Sequence, residues 1–242
     1  MNHMADRPQY ALDNPAHQGQ CAFLAGDYEQ ALVFFADHLR QHPDCRDSLF
    51  HLGYCHSILG HWQEAVAAYQ RVLELQPDDA HAHDLLGAAH LKLGEGELAR
   101  RHLSQAEALK PGDALTKCNL ALALRSLGRR DEAVAVLRRA VELRPDFAYA
   151  RFELGVTLVA EDRWPEAQAA FREALRIEPG FSRALFNLGI VETVLGNLRE
   201  ARALYSRLTK TDVRMAARLL DALEGQTPPA DRTANGLPTI CP

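Results

Sequence analysis

Eleven of the 242 residues are histidines, and their imidazole rings are the side chains here best suited to metal binding or to acid–base chemistry near neutral pH. A metal site on a helix usually has ligands three or four residues apart. His81 and His83 are two residues apart, and His83 and His90 are seven apart. His51 and His56 are five apart, a spacing that also suits a shared metal poorly. The sequence therefore predicts no metal and no other cofactor, and we expect these rings to be hydrogen-bonded or exposed.

The cysteines do not indicate a nucleophile or a redox pair. They are Cys21, Cys45, Cys55, Cys118 and Cys241, an odd number without a Cys-x-x-Cys motif. Cys118 precedes Asn119, but nucleophilic catalysis also needs a base and a group that orients it, and the sequence singles out neither. Gly94-Glu95-Gly96 lacks the Lys-Ser ending of a phosphate-binding loop. We therefore predict a protein that is not an enzyme, with reduced thiols and a cytoplasmic location.

The overall composition is that of an ordinary soluble domain, with 47% hydrophobic and 24% charged residues. The formal net charge of −5 argues against nucleic acid as the main ligand, because phosphate binding normally needs a basic surface. It argues equally against a polybasic contact with a membrane. Residues 1–10 are polar, so no secretory signal is expected there, and no stretch is long and apolar enough to predict insertion into a membrane.

Five prolines recur at intervals of 34 residues, which indicates an internal repeat. They are Pro43, Pro77, Pro111, Pro145 and Pro179. With each of these prolines at position 32 of its unit, the sequence divides into six units. The units cover residues 12–45, 46–79, 80–113, 114–147, 148–181 and 182–215.

Three positions of the repeat have side chains of matched size. Position 8 is small in every unit: Gly19, Gly53, Gly87, Ala121, Gly155 and Gly189. Position 20 is alanine in every unit: Ala31, Ala65, Ala99, Ala133, Ala167 and Ala201. Position 24 is large in every unit: Phe35, Tyr69, Leu103, Leu137, Phe171 and Tyr205. Small residues at positions 8 and 20 allow two antiparallel helices to approach closely, and the large residue fills the space beside them.

The ends of the two helices are also marked in each unit. Position 15 is glycine in five units and Asp162 in the other, and a glycine there can end the first helix in a left-handed turn. Asp131 and Glu132 open one second helix, where the helix dipole favours negative charge, and Pro165 opens another. The proline at position 32 stops the second helix. Because no segment alternates between polar and apolar residues as a strand would, the sequence predicts an all-α fold.

This pattern resembles the tetratricopeptide repeat family over about residues 12–215. The resemblance implies a right-handed superhelical solenoid of six tetratricopeptide-type helical hairpins, with a concave groove lined mainly by the first helix of each hairpin. It also implies a protein that recruits others by holding an extended peptide or a helix in that groove.

Three segments lie outside the helical pairs. Residues 1–11 are predicted to be an N-terminal extension. Apolar residues at helical spacing over residues 213–224 predict a C-terminal capping helix that covers the last hairpin. Residues 225–242 contain four prolines and no periodic pattern, so we expect a disordered tail there.

The repeat register predicts which side chains point into the groove, namely those at positions 2, 5, 6, 9, 12 and 13 of the first helices. The predicted groove residues are Phe50, His51, Tyr54, His81, Asp84, Lys92, Cys118, Asn119, Leu122, Arg125, Tyr149, Phe152, Glu153, Arg183, Phe186 and Asn187. The amides of Asn119 and Asn187 could hold the main chain of a peptide, since each can donate and accept. Lys92 and Arg125 could bind a carboxylate.

Two alternatives concern these groove residues. The aromatic side chains, Phe152 and Phe186 among them, could pack against an adjacent helix instead of facing the groove. One subclass of the family binds acidic chaperone tails through a clamp that needs lysine at position 5 and asparagine at position 9 of one first helix. No unit has that pair, so we predict no clamp of this type.

The function predicted from the sequence is that of an adaptor or scaffold whose groove binds a protein or peptide partner. One alternative is an accessory or substrate-recruiting module of a separate enzyme such as a glycosyltransferase. Another is a structural scaffold that assembles into homo-oligomers. The sequence does not distinguish an extended peptide from a helix as the bound form of the partner.

Overall fold

The computed structural model describes residues 14–225, and all regular secondary structure in this range is α-helical. The thirteen helices of the described range are α1 (Pro15–Ala25), α2 (Tyr28–Gln41), α3 (Arg46–Ile58), α4 (Trp62–Leu75), α5 (Ala80–Lys92), α6 (Gly96–Leu109), α7 (Ala114–Ser126), α8 (Arg130–Leu143), α9 (Ala148–Val159), α10 (Trp164–Ile177), α11 (Ser182–Val194), α12 (Leu198–Leu208) and α13 (Val213–Leu223). The predictions of an all-α fold and of a capping helix are confirmed. The predicted N-terminal extension and nearly all of the predicted tail lie outside the described residues.

Consecutive helices pair as hairpins, from α1 with α2 to α11 with α12, and each 34-residue unit of the sequence contains one pair. From here on the six 34-residue segments are called repeats, and "unit" is used for the two larger parts into which the chain divides. The first unit, Met1–Gly112, contains α1 to α6, and the second unit, Asp113–Pro242, contains α7 to α13. Within each unit the second helix of one hairpin packs against the first helix of the next, as α2 does against α3 and α10 against α11. This is the packing expected of tetratricopeptide-type hairpins.

The small residue at position 8 is what allows the helices of a hairpin to meet. A Cβ atom added to Gly53 would lie 2.7 Å from the ring of Tyr69, and one added to Gly87 would lie 2.5 Å from Leu103. Both large residues are completely buried, as is Ala65 at position 20. Positions 8, 20 and 24 therefore form a single close contact inside the hairpin, which confirms the size pattern read from the sequence.

The sixth hairpin departs from this pattern. The side chain nearest to Gly189 is Leu219 of α13, whose Cδ2 would lie 2.5 Å from an added Cβ, and not Tyr205 at position 24. The role predicted for Tyr205 is therefore wrong, and its side chain is partly exposed. The reason is that α13 packs against both α11 and α12, so Leu219 reaches the space beside Gly189 and is completely buried there.

The first helices end as predicted, in a residue with left-handed backbone conformation. Gly60 and Gly94 both have φ of +77°, and the glycines at position 15 of the other repeats have φ between +75° and +80°. Asp162 takes the same conformation with φ of 54°, and among residues 14–225 it is the one non-glycine residue with positive φ. A side chain in this conformation is strained by contact between Cβ and the backbone, although aspartate tolerates it better than most residues.

Replacing Asp162 by glycine is expected to stabilise the protein by about 0.5 to 1 kcal/mol, because it removes this backbone strain. Chemical denaturation followed by circular dichroism would measure the change. The reverse substitution at an equivalent turn, Gly60→Asp, should destabilise by a similar amount. An Asp162→Gly protein no more stable than the parent would show that the aspartate side chain offsets the strain by local hydrogen bonds.

Candidate partner-binding surface

The first helices of the first unit present a group of aromatic side chains that contact one another across the helices. We call this group the aromatic band, and its members are Phe23 of α1, Phe50, His51 and Tyr54 of α3, and His81 of α5. His81 is exposed and the other four side chains are partly exposed. Rings from three successive first helices thus form one accessible surface.

Phe23 packs edge to face with two rings of the aromatic band, whereas Phe50 and His81 are tilted by 34° to each other. The centroid of Phe23 lies 5.2 Å from that of His51 and 5.5 Å from that of Tyr54, with interplanar angles of 89° and 66°. Phe50 lies 5.1 Å from His81. Edge-to-face pairs at these distances are favourable because the positive ring edge meets the negative ring face. Each ring is therefore held in place while part of its surface stays open to solvent.

The tautomer of His51 follows from its hydrogen bond. Nδ1 of His51 lies 2.7 Å from the carbonyl oxygen of Asp47, and since a carbonyl can only accept, Nδ1 carries the proton. The neutral ring then has its lone pair on Nε2, which can accept a hydrogen bond. His51 also stacks on the buried ring of Phe35, with centroids 5.2 Å apart, so its orientation is fixed from both sides.

Two predicted groove residues of α5 have different surroundings. Lys92 is exposed at the last turn of the helix. Asp84, in contrast, is buried, and it has interactions of its own within the structure. The prediction that Asp84 faces an open groove is wrong, because its side chain is shielded from solvent.

The second unit has a buried ion pair where the sequence predicted two separate partner-binding groups. Nη1 of Arg125 in α7 donates to Oε2 of Glu153 in α9 over 2.9 Å, and Glu153 is only 2% exposed. Oγ1 of Thr157 donates to the carbonyl oxygen of Glu153, one turn earlier in α9. Arg125 and Glu153 therefore join neighbouring first helices, and this pairing competes with the role predicted for Arg125 in binding a carboxylate of the partner.

Tyr149 lies beside this ion pair on α9. Burial, together with the negative charge of Glu153 and a hydrogen bond to its carboxylate, raises the pKa of Tyr149 well above its ordinary value. The hydroxyl therefore stays protonated at physiological pH and can donate to Glu153. The ring itself is partly exposed, so Tyr149 remains a candidate for contact with a partner.

Arg183 of α11 covers a group of rings in the second unit. Its guanidinium carbon lies 4.9 Å from the centroid of Phe152, 5.5 Å from that of Phe181 and 6.0 Å from that of Tyr149. These distances are in the range of cation–π contacts. The cation therefore forms the accessible surface here, with Phe152 completely buried below it.

Five predicted groove residues of the second unit are buried, which corrects the expectation that they line an open surface. They are Cys118, Phe152, Glu153, Phe186 and Asn187. Large side chains of the next element reach over two of them, as Phe181 does over Phe152 and Arg218 of α13 over Phe186. For the two phenylalanines, the alternative of packing against an adjacent helix is therefore the correct one.

Five predicted groove residues of the second unit are partly exposed on its first helices. They are Asn119, Leu122, Arg125, Tyr149 and Arg183. Asn119 already has interactions within the structure, so a peptide that binds its amide would have to share or replace them. Their binding role stays a prediction.

Comparison with sequence profiles of known families shows to which protein family this chain of helical hairpins belongs. Profiles described as tetratricopeptide repeat match residues 22–89 and 158–226, which is more than half of the chain, and further profiles of the same description match residues 118–180 and 80–105. The chain belongs to the tetratricopeptide repeat family. No curated protein gives a significant match to this tetratricopeptide repeat chain.

Solved tetratricopeptide repeat structures resemble the chain over most of its length. MamA from Desulfovibrio magneticus RS-1 is 26% identical with a TM-score of 0.65, and the match covers 70% of this chain and 97% of that one. PilW, a type IV pilus biogenesis factor, is 18% identical with a TM-score of 0.77 and coverages of 85% and 96%. YrrB is 22% identical with a TM-score of 0.58 and coverages of 76% and 95%. The last two likenesses establish the fold alone.

Phe23 is the member of the aromatic band that the sequence analysis missed. It occupies position 12 of the first tetratricopeptide repeat, which is one of the positions expected to face the groove. Because the first repeat is atypical at other positions, no groove residue was assigned in it. Its contacts with His51 and Tyr54 in the next repeat identify it as part of the surface. Applying the register strictly to the first repeat would have found it.

Away from the aromatic band, three histidines of the third tetratricopeptide repeat stack together. The ring centroid of His102 in α6 lies 5.3 Å from that of His83 and 5.6 Å from that of His90, both in α5. His83 Nε2 donates to the carbonyl oxygen of Pro77, and in the neutral ring the Nδ1 of His83 then accepts from the Nδ1 of His102, 3.1 Å away. Sequence spacing did not reveal this cluster because its members come from both helices of the hairpin.

One histidine of this cluster is hydrogen-bonded through only one of its two ring nitrogens. His90 is buried, and its Nδ1 is bonded to Glu95, but its Nε2 has no partner. Burial, and then the neighbouring rings of His83 and His90, lower the pKa of His102 from its ordinary value of 6.5 to about 4. The cluster is therefore held with His102 neutral at physiological pH.

The free energy of unfolding is expected to fall by about 1 to 2 kcal/mol as the pH drops from about 6.5 towards 4 because of His102. In that interval the unfolded chain binds a proton on this ring and the folded chain does not, so acid favours unfolding. Denaturation at a series of pH values would give the slope. His102→Gln should reduce the slope, whereas His17→Gln on the exposed part of α1 should leave it unchanged; equal slopes in all three proteins would contradict this assignment.

Two further classes of site were not found in the described part of the chain. Residues 14–225 contain no group of three or more histidine, cysteine, aspartate or glutamate side chains arranged to hold a metal ion. No helix within the same range has the length and hydrophobicity needed to cross a membrane.

Proposed function

We propose that this protein is a non-catalytic interaction scaffold that binds a segment of a partner protein on the accessible face of its first helices. The observation that carries the proposal is the character of that face. Aromatic, aliphatic and polar side chains of neighbouring first helices contact one another there and stay partly exposed, while the opposite faces of the same helices are buried in the hairpins.

The chemistry of the face suits recognition of a peptide or helix. Aromatic rings and arginine are the side chains most often responsible for binding energy at protein interfaces. The rings bury large areas with little loss of side-chain entropy, and the guanidinium can donate several hydrogen bonds and stack on rings. Tyr54, His81 and Arg183 each combine an aromatic ring or a guanidinium with polar groups that can orient a bound chain, and Leu122 adds apolar area. Membership of the tetratricopeptide repeat family supports the proposal in general terms.

Relatives of known structure are compatible with this function. YrrB, which has the same fold, is a tetratricopeptide repeat protein with an unusual peptide-binding site. Cut9, another protein of this fold at 17% identity, forms the Cut9–Hcn1 hetero-tetramer of the APC/C. Peptide binding and assembly with other chains are therefore both within the reach of the fold, and we propose the first of these for the accessible face of this protein.

The proposal can be tested by introducing a charge at partly exposed positions of the face. Tyr54→Glu and Leu122→Glu, in the first and second units, should each reduce the recovery of partner proteins about tenfold or more in affinity capture from native lysate with quantitative mass spectrometry. Val33→Glu, at an exposed position of the second helix α2, is the matched control and should leave recovery unchanged. Equal recovery with all three variants would refute the proposal.

A further inference from the structure

We propose that the aromatic band of the first unit selects a cationic segment, a stretch of the partner rich in arginine or lysine; this rests on the proposed function. The band consists of partly exposed rings of Phe23, Phe50, His51 and Tyr54 with exposed His81 beside them. Because the face of an aromatic ring is electron-rich, such a surface attracts a guanidinium or ammonium group and packs against its aliphatic stem.

The charge of the first unit favours the same class of partner. Residues 14–112 contain thirteen Asp and Glu against seven Lys and Arg, whereas residues 113–225 contain sixteen against eighteen. The acidic excess is therefore confined to the unit that bears the aromatic band. A surplus of this kind raises the local concentration of a cationic segment and speeds its association.

Individual acceptor groups lie on or next to the band. The side chain of Asp47 is 83% exposed on the first turn of α3, and its contact with Arg46 is long, at 3.8 Å. In the neutral form of His51, Nδ1 donates to the carbonyl oxygen of Asp47 and Nε2 carries a lone pair. A cation that rests on the rings of the band can therefore donate hydrogen bonds to a carboxylate and to an imidazole nitrogen.

Two lysine or arginine cations lie on the same set of helices. Arg46, at the start of α3, is 3.5 Å from the carboxylate of Asp79, which balances its charge, and Lys92 lies at the end of α5. Lys92 is eleven positions after His81, which places the two residues about 16 Å apart along the helix axis. At that separation, charges on an exposed surface are largely screened at physiological ionic strength. Lys92 therefore does not neutralise the band where Phe50 meets His81.

Binding to labelled peptides would test this inference on the full-length protein. A fluorescein-labelled peptide of repeated Arg-Ser-Leu should bind about tenfold more tightly, by fluorescence anisotropy, than matched peptides of repeated Gln-Ser-Leu or Glu-Ser-Leu. Raising the salt concentration should weaken binding of the arginine peptide and bring its affinity closer to that of the glutamine peptide. Equal affinity for the three peptides, or no measurable binding of the arginine peptide, would overturn the inference.

Ring substitutions separate the aromatic band from general attraction to an acidic protein. Phe50→Leu combined with Tyr54→Leu should lower the affinity for the arginine peptide about fivefold, because two ring faces are lost. The leucines keep most of the apolar bulk, so the loss reports on the rings themselves. Tyr54→Phe alone should retain full affinity, and Tyr205→Leu, at a partly exposed ring of α12, is the control. Thermal melts monitored by circular dichroism would show that the variants remain folded. Unchanged affinity in the folded double variant would overturn the inference.

Two further outcomes distinguish this inference from the proposed function. If Tyr54→Glu abolishes capture of the natural partner while the three peptides bind alike, the proposed function stands and the preference for a cationic segment does not. If the solution mass of the protein falls in the Phe50→Leu, Tyr54→Leu double variant without peptide, the band is an interface with a second copy of the chain, and the inference is overturned.

Discussion

Replacing Gly155 by valine is expected to destabilise the second unit by about 3 kcal/mol or more. A Cβ atom on this residue of α9 would lie 2.6 Å from Cε1 and 2.7 Å from Cδ1 of Phe171, distances at which carbon atoms overlap. Phe171 is completely buried and its ring also contacts Phe152, 5.9 Å away between centroids, so it has no free space to enter. Valine is a better helix former than glycine by only about half a kcal/mol or less, which is too little to offset the overlap.

The experiment can report on one unit at a time because the chain has two tryptophans, Trp62 in α4 and Trp164 in α10. In a Trp62→Phe background, urea denaturation followed by tryptophan fluorescence reports the unfolding of the second unit. Gly180→Val is the matched control, since an added Cβ there meets no atom within 4 Å. A denaturation midpoint for Gly155→Val equal to that of the control would show that the helices can move apart, contrary to our reading of position 8.

A second substitution tests whether overlap is the cause. Phe171→Leu alone should destabilise the second unit by leaving a cavity. Combined with Gly155→Val, it should cost less than the sum of the two single substitutions, because the smaller side chain makes room for the added methyl groups. Additive effects would mean that the two residues do not compete for the same space.

The features predicted successfully from the sequence are those that depend on local chain geometry or on one contact repeated in every unit. A glycine before a new helix can be recognised because left-handed backbone conformation is costly for other residues, and Gly60 and Gly94 occupy it. The size match between Gly53 and Tyr69 recurs in other repeats, so the repetition itself reveals the contact. Such features do not depend on what packs against the hairpin from outside.

The accessibility of individual groove residues could not be predicted, because it depends on side chains that arrive from the next element. Phe186 has the right position to face a groove, yet Arg218 of the capping helix lies over its ring, 5.0 Å from the centroid. Glu192 stands where the register favours an apolar residue, and it is buried with Arg172 and Asn197 as partners. Neither arrangement follows from the repeat period, because each depends on residues that occur in a single unit.

Removing the guanidinium of Arg125 is expected to cost about 3 kcal/mol, although the side chain was predicted to serve a partner. Arg125→Ala would leave the carboxylate of Glu153 buried at 2% exposure with no cation beside it. The loss of the Coulomb attraction is small compared with the cost of holding an unpaired charge away from water. Tyr149 could still donate to Glu153, but a neutral donor compensates for only part of that cost.

The partner of the pair supplies the decisive control. Glu153→Gln in the Arg125→Ala background should recover about half of the lost stability, since the amide is neutral and can still accept from Tyr149. Arg138→Ala removes an arginine whose ion pair with Glu166 is exposed, and it should change the free energy of unfolding by less than about 0.5 kcal/mol. If Arg125→Ala were as mild as Arg138→Ala and Glu153→Gln brought no recovery, Arg125 would not be needed for stability and could be assigned to partner binding. If the expected order holds, variants of Arg125 would lose binding through loss of the fold, so the partly exposed Leu122, three residues earlier on α7, is the better position for testing that face.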